Sequence, residues 1–224
     1  MAGIAAFFDV DGTLVDSNIV HSYAFFAGNP GRIGEAARRS LGLLGSIPLL
    51  YAADLYDRKA FNELFYRNYK GLTDDRLRAL ADEHFERIWK PNLYAQGLEL
   101  VKQCRDAGCR IVLVSGSLEV LLEPLAQELD VRAEDMVGNR LEFVRHRCTG
   151  RLIKPVVAGA FKARWIRQWC RDNDVDLEHS FAYSDSFSDY PMLSVVGRPS
   201  VINPDVQLRA VARSHNWPIL RFKN

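Results

Sequence analysis

The chain has 224 residues, 29 of them basic and 28 acidic, and a formal net charge of +1 at neutral pH. That length suffices for one large core, or for a core with one inserted domain. The near-even charge balance excludes a broad electrostatic footprint for nucleic acid or for an acidic membrane surface. The uncharged stretch 41–53 carries two glycines and Pro48, and it falls short of the roughly 20 apolar residues that span a bilayer. Cys104, Cys109, Cys148 and Cys170 show no Cys-x-x-Cys pair and no zinc spacing, so they read as reduced thiols. With no basic start before the first apolar run, the sequence reads as a cytoplasmic protein without signal peptide or stable membrane insertion.

Residues 3–8 form an apolar run, predicted to be a buried parallel strand, that stops at Asp9 and Asp11. Strand alternation puts both acids on one side of the backbone as the chain leaves the sheet, and Gly12 permits a sharp turn there. Residues 16–94 read as helical. Within them 35–44, 59–70 and 73–89 repeat apolar residues at helical spacing, Thr73 with Asp74 and Asp75 marks a start, and Pro91 a stop. Strand and helix then alternate: helix 98–106 with strand 111–114, helix 161–171 with strand 181–183, helix 191–195 with strand 200–202, and helix 207–214 with strand 218–220. Pro124 is expected to kink or delay the helix after the second strand. Residues 139–144 and 149–152 are a candidate antiparallel hairpin. The pattern predicts an α/β fold, a Rossmann-like doubly wound parallel sheet with an inserted all-helical cap.

Three more segments end in chemistry-bearing residues. The strand 112–114 runs into Ser115, Gly116 and Ser117, where backbone amides with the Ser115 hydroxyl suit a phosphate oxygen; Ser115 or Ser117 as a cap of the next helix is the ordinary alternative. Lys162 stands near the start of a helix, against the helix dipole, which makes sense if it faces an anion or offsets carboxylates; a solvated surface lysine is the ordinary alternative. The strand 181–183 leads to Asp185 and Asp189. Two carboxylates about 4 Å apart repel by roughly 4 kcal/mol at the effective dielectric of a protein surface. If Asp9, Asp11, Asp185 and Asp189 converge, they therefore require a cation or protonation, and all-oxygen donors beside a phosphate pocket suit Mg²⁺.

In this order and at these strand ends, the four segments resemble the haloacid dehalogenase-like superfamily. The insertion after the first resembles its phosphoserine-phosphatase-like branch, subclass IB. The resemblance implies an α/β core over 1–15 and 95–224 and a helical cap over 16–94. It implies a phosphatase that hydrolyses a small-molecule phosphomonoester through an aspartyl-phosphate intermediate, with Asp9 as nucleophile and Asp11 as general acid and base. Mg²⁺ would be held by the Asp9 side chain, the Asp11 carbonyl and Asp185. Asp189 would support the metal or Lys162, while Ser115, Gly116 and Lys162 would bind phosphate. A phosphotransferase or mutase, and a non-catalytic binding domain on the same fold, are the alternatives.

Asn18 stands where phosphoserine phosphatases carry the glutamate that holds the substrate ammonium, which counts against phosphoserine without eliminating it. Ser184, Phe187 and Ser188 depart from the glycine-rich fourth motif. Tyr23, Phe25, Phe26 and the stretch 41–55 make the cap apolar; a greasy pocket or a membrane-facing patch for an apolar phosphoester, a packed cap core and a homodimer contact are the readings open to them. Arg32, Arg38, Arg39 and Arg67 are candidates to meet a substrate anion, and His21 to line the entrance. A hinge is expected near 15–18 and 91–97.

Overall fold

The computed structural model describes residues 2–28 and 57–223. Its main sheet has six parallel strands: β1 (Ile4–Phe8), β2 (Cys109–Leu118), β3 (Met136–Asn139), β6 (Phe181–Ser184), β7 (Arg198–Ile202) and β8 (Ile219–Leu220). In space they run β3-β2-β1-β6-β7-β8. The expected doubly wound sheet is therefore present, with β1 at its centre.

Both faces of the sheet are buried, which is why its strands read as continuous apolar runs. Ala5, Phe7, Val112, Val114, Ala182 and Val201 face one side. There they pack on α6 (Ala160–Asp172), the single turn α7 (Tyr190–Leu193) and α8 (Val206–Ser214). Ala6, Phe8, Ile111, Leu113 and Tyr183 face the other side, with α4 (Ala95–Asp106) and α5 (Glu119–Glu128). Register pairs Phe8 with Tyr183 across β1 and β6, and their rings stack with centroids 4.6 Å apart.

The second apolar face continues into the inserted helices: α1 (Ile19–Gly28), α2 (Arg58–Phe65) with a following 3₁₀ turn (Tyr66–Tyr69), and α3 (Asp74–His84). Thr73 caps α3 as expected, its hydroxyl accepting from the Arg76 amide. Tyr23, Phe25 and Phe26 are buried against Phe65, Tyr69 and His84, so these three serve as cap core. The insertion leaves and rejoins the sheet side by side, where Val15 bridges Leu93 and the Tyr94 amide donates to the Leu14 carbonyl. The expected hairpin forms as β4 (Leu141–Val144) and β5 (Arg147–Leu152). It bonds to the inserted helices through Gly71 N to Cys148 O and Cys148 N to Leu72 O.

Two expectations are corrected. Strand β2 does not stop at Val114 but continues to Leu118 with a register shift against β3. And α5 is not delayed by Pro124: it starts at Glu119 and carries the proline inside. The expected helix 35–44, the apolar stretch 41–55 and Arg32, Arg38 and Arg39 lie outside the described residues. All four cysteines are free and buried. Among the described residues, no helix is long and apolar enough to cross a membrane.

His84, to which the sequence gives no role, is fully buried, with Nε2 3.0 Å from the Ser22 hydroxyl. Burial pushes its pKa down to about 4, from the 6.5 of a free imidazole. Unfolding lets the ring take a proton that the folded state resists. The stability that neutral His84 contributes is complete above the unfolded value and is lost as pH falls through about 4, an effect of about 3 kcal/mol. Urea unfolding followed from pH 7 to pH 4 should therefore fall less steeply for His84→Gln than for the wild type; parallel profiles would contradict this.

Candidate active site

In the strand order the chain winds outward in both directions from β1, so the loops after β1 and β6 diverge across a topological switch point. Crevices at such points are where open α/β sheets bind ligands. The backbone turns tightly after β1: Leu14 N and Val15 N both donate to Val10 O, and Gly12 N donates to Val15 O at 2.8 Å. Gly12 sits at φ +78°, and a Cβ there would lie 2.3 Å from Oδ2 of Asp185. Only glycine lets the first loop approach the acid after β6 this closely.

Lys162 lies in the first turn of α6 and is 3% exposed. Its ammonium donates to Asp9 Oδ1 at 2.6 Å and to Asp189 Oδ2 at 2.7 Å. Ser184 Oγ donates to the same Asp189 oxygen at 2.8 Å. Burial works against the Lys162 charge, but the Asp189 and Asp9 carboxylates outweigh it and hold its pKa above the ordinary lysine value. Asp9 moves the other way for a carboxylate: burial, then the Asp189 and Asp11 charges, raise its pKa, with Lys162 opposing. Burial raises Asp11 as well, and burial with the charges of Asp9 and Asp189 raises Asp185 well above its usual value. This cluster holds more negative charge than its one buried ammonium balances.

A cavity of about 220 Å³ opens over these groups, lined by Asp9, Asp11, Gly116, Lys162, Asp185 and Asp189 and also by Asn18, Arg58 and Asn62. The structure thus brings together five of the expected acids and bases with Gly116. Ser115 is fully buried and does not line the cavity; its Oγ accepts from Ser117 N at 3.0 Å. Arg67 lines a separate cleft with Thr149, Gly150 and Arg151. His21 is exposed and does not line the cavity.

Several residues enter the site without having been read from the sequence as part of it. Ser117 Oγ donates to Asp11 Oδ2 at 2.5 Å; its signal was the Ser-x-Ser spacing, which puts Ser115 and Ser117 on one side once β2 is seen to continue. Tyr66 Oη and Asn139 Nδ2 both donate to the Gly116 carbonyl, at 3.1 and 2.7 Å, and fix that peptide's orientation. Asp205 accepts from Phe187 N and caps α8 through Leu208 N. Arg58 and Asn62 arrive from α2, and their sequence neighbourhood carries no mark of a site.

Asn18 is committed locally. Its Oδ1 accepts from the Val20 and His21 amides at 2.9 and 3.1 Å, so it caps α1. For a cation, the candidate donors are the Asp9 and Asp185 carboxylates with the Asp11 carbonyl. Among the described residues, no three His, Cys, Asp or Glu side chains are grouped to hold a metal ion. A hard divalent ion that takes one or two carboxylates and keeps its waters does not require such a cage.

Comparison with known proteins identifies the family. The family model of haloacid dehalogenase-like hydrolases matches residues 6–194. A Mycobacterium tuberculosis protein named phosphoserine phosphatase SerB1 is 33% identical over 223 residues, covering 98% of this chain and 71% of its own length. A Bordetella pertussis protein of unknown function has a solved structure that is 25% identical, with a TM-score of 0.81 and coverage of 98% and 99%. The phospho-aspartyl intermediate analogue of a phosphoserine phosphatase is 17% identical, with a TM-score of 0.73 and coverage of 100% and 95%, and shares the fold. With the family model spanning most of the chain, this protein belongs to the haloacid dehalogenase-like hydrolases and is a phosphatase of the phosphoserine-phosphatase-like kind.

Proposed function

We propose that this phosphatase hydrolyses a small phosphomonoester in two steps, through an aspartyl-phosphate on Asp9, with Mg²⁺ as cofactor. The observation that carries the reading is the buried Asp9–Lys162–Asp189 bridge beneath a small cavity that Asp11 and Asp185 also line. Asp9 attacks phosphorus: a new O–P bond forms while the bond to the alcohol oxygen breaks, and Asp11 gives its proton to that oxygen. Asp11, now anionic, takes a proton from water. The water oxygen attacks the same phosphorus, and inorganic phosphate leaves Asp9. A carboxyl whose pKa is raised by burial suits the first transfer, and the Ser117 hydrogen bond favours the anion that results. In this reading Gly116 and Lys162, which line the cavity, hold phosphate oxygens.

The residues fit the divalent ion. Among the described residues Asp11 Oδ1 is buried with no hydrogen-bond partner, and burial, followed by the charges of neighbouring carboxylates, raises the Asp9 and Asp185 carboxyls. Asp9, Asp185 and the Asp11 carbonyl would hold the ion, which supplies charge neutralisation at the transferring phosphoryl group. The same reading divides the chain into the core (1–15 and 95–224) and the cap (16–94), with closure about the paired segments at Val15 and Leu93 excluding water during the first step. Because Asn18 is neutral and committed to α1, phosphoserine fits this chain less well than the name of its M. tuberculosis relative suggests.

Phosphate release from a phosphomonoester panel, run with Mg²⁺ and with EDTA, tests the reading. EDTA is expected to abolish turnover and added Mg²⁺ to restore it, and Asp9→Asn is expected to cost at least about a thousandfold in kcat. Undiminished turnover in EDTA or in that variant would overturn it. Lys162→Met strands two buried carboxylates and should lower urea-measured stability by about 3–5 kcal/mol. Adding Asp189→Asn should recover part of the stability but not the activity.

A further inference from the structure

Asn62 is 1% exposed and lines the catalytic cavity. Among the described residues no group bonds either its Nδ2 or its Oδ1. Its amide nitrogen would lie 3.3 Å from a Cβ at Gly116, so it stands directly over the part of β2 that carries the Gly116 amide. Tyr66, four residues on, bonds the carbonyl of the same glycine. These two positions share one helical face, and that face points the amide of Asn62 at the site. A buried side-chain amide with donor and acceptor both open is uncommon, and each unmet group costs about 1–3 kcal/mol. Three other polar side chains near the cavity have partners: Asn18 Oδ1 caps α1, Ser117 bonds Asp11, and Asn139 ties Gly116 to Val157.

We propose that Asn62 recognises the leaving group of the ester, and that this group carries a neutral hydroxyl close to the ester oxygen. The inference rests on the phosphatase reading above and names the substrate class of the same site. It follows from matching donors to acceptors. A phosphate oxygen or a carboxylate only accepts, and would leave Oδ1 unmet. An ammonium only donates, and would leave Nδ2 unmet. A hydroxyl donates and accepts, so it can satisfy both atoms of the amide whichever way the amide is turned. The usual charged contact at position 18 is replaced by a neutral one from α2.

The test compares kcat/KM for glycerol 1-phosphate, propyl phosphate and phosphoethanolamine in the wild type, Asn62→Leu and Asn62→Ala. In the wild type, glycerol 1-phosphate should exceed propyl phosphate by about 10- to 100-fold, the range that one or two buried hydrogen bonds supply, and should exceed phosphoethanolamine as well. In both variants the ratio of glycerol 1-phosphate to propyl phosphate should collapse toward one. Asn62→Leu should also raise Tm by about 2–4 °C, because it removes two unmet polar atoms. An unchanged ratio in the variants, an equal loss on both esters, a wild-type preference for phosphoethanolamine or a fall in Tm would each overturn the assignment. Turnover of propyl phosphate without discrimination would overturn it while leaving the phosphatase reading intact; failure on every ester would overturn both.

Discussion

The site depends on one buried cation. Lys162 lies between Asp9 and Asp189, within hydrogen-bonding distance of both, and all three are buried. Without it, the acids at the ends of β1 and β6 would face one another across a low-dielectric gap, and the strand order that makes the crevice would bring like charges together. Coulomb repulsion at such distances reaches several kcal/mol. The lysine runs against the dipole at the start of α6, a local cost that the two carboxylates offset. Even so, one ammonium does not balance Asp9, Asp11, Asp185 and Asp189, and the raised carboxyl pKa values express the remainder. That remainder is what makes the cavity receptive to a divalent ion.

Much of this was legible in the sequence, because strand ends in a parallel sheet announce themselves. Apolar runs that stop abruptly at Asp9, Ser115 and Asp185 gave the sheet, its winding and the acids in one reading, and Gly12 marked the turn that Asp185 crowds. Periodicity was less informative where tertiary contacts set the boundary. Strand β2 runs past Val114 because β3 continues to pair with it as far as Leu118, and reading it as ended hid Ser117. Pro124 sits inside α5 even though its ring removes a helix donor. Arg58 and Asn62 were invisible because nothing local distinguishes them; they reach the site only through the docking of α2. The insertion of His84 among Phe25, Phe26 and Trp89 is likewise a matter of packing.

Chemistry and selectivity have different structural sources here. The reacting groups stand on β-strand ends and on α6, all anchored in a sheet with both faces buried. The groups that distinguish one ester from another come from the inserted helices, whose core is continuous with one face of that sheet and which also bond to the β4–β5 hairpin. A change from ammonium recognition to hydroxyl recognition then requires no change in the reacting groups. Asn18 can be spent on capping α1 because Asn62 presents an open amide from the other side of the cavity.

The steric course at phosphorus is the most direct measurement of the two-step route through Asp9. A phosphorothioate monoester made chiral at phosphorus by two oxygen isotopes would be hydrolysed in water carrying the third, and the configuration of the released thiophosphate determined. Two successive in-line displacements, first by Asp9 and then by water, require net retention. Net inversion would mean a single direct attack by water, and Asp9 would not be the nucleophile.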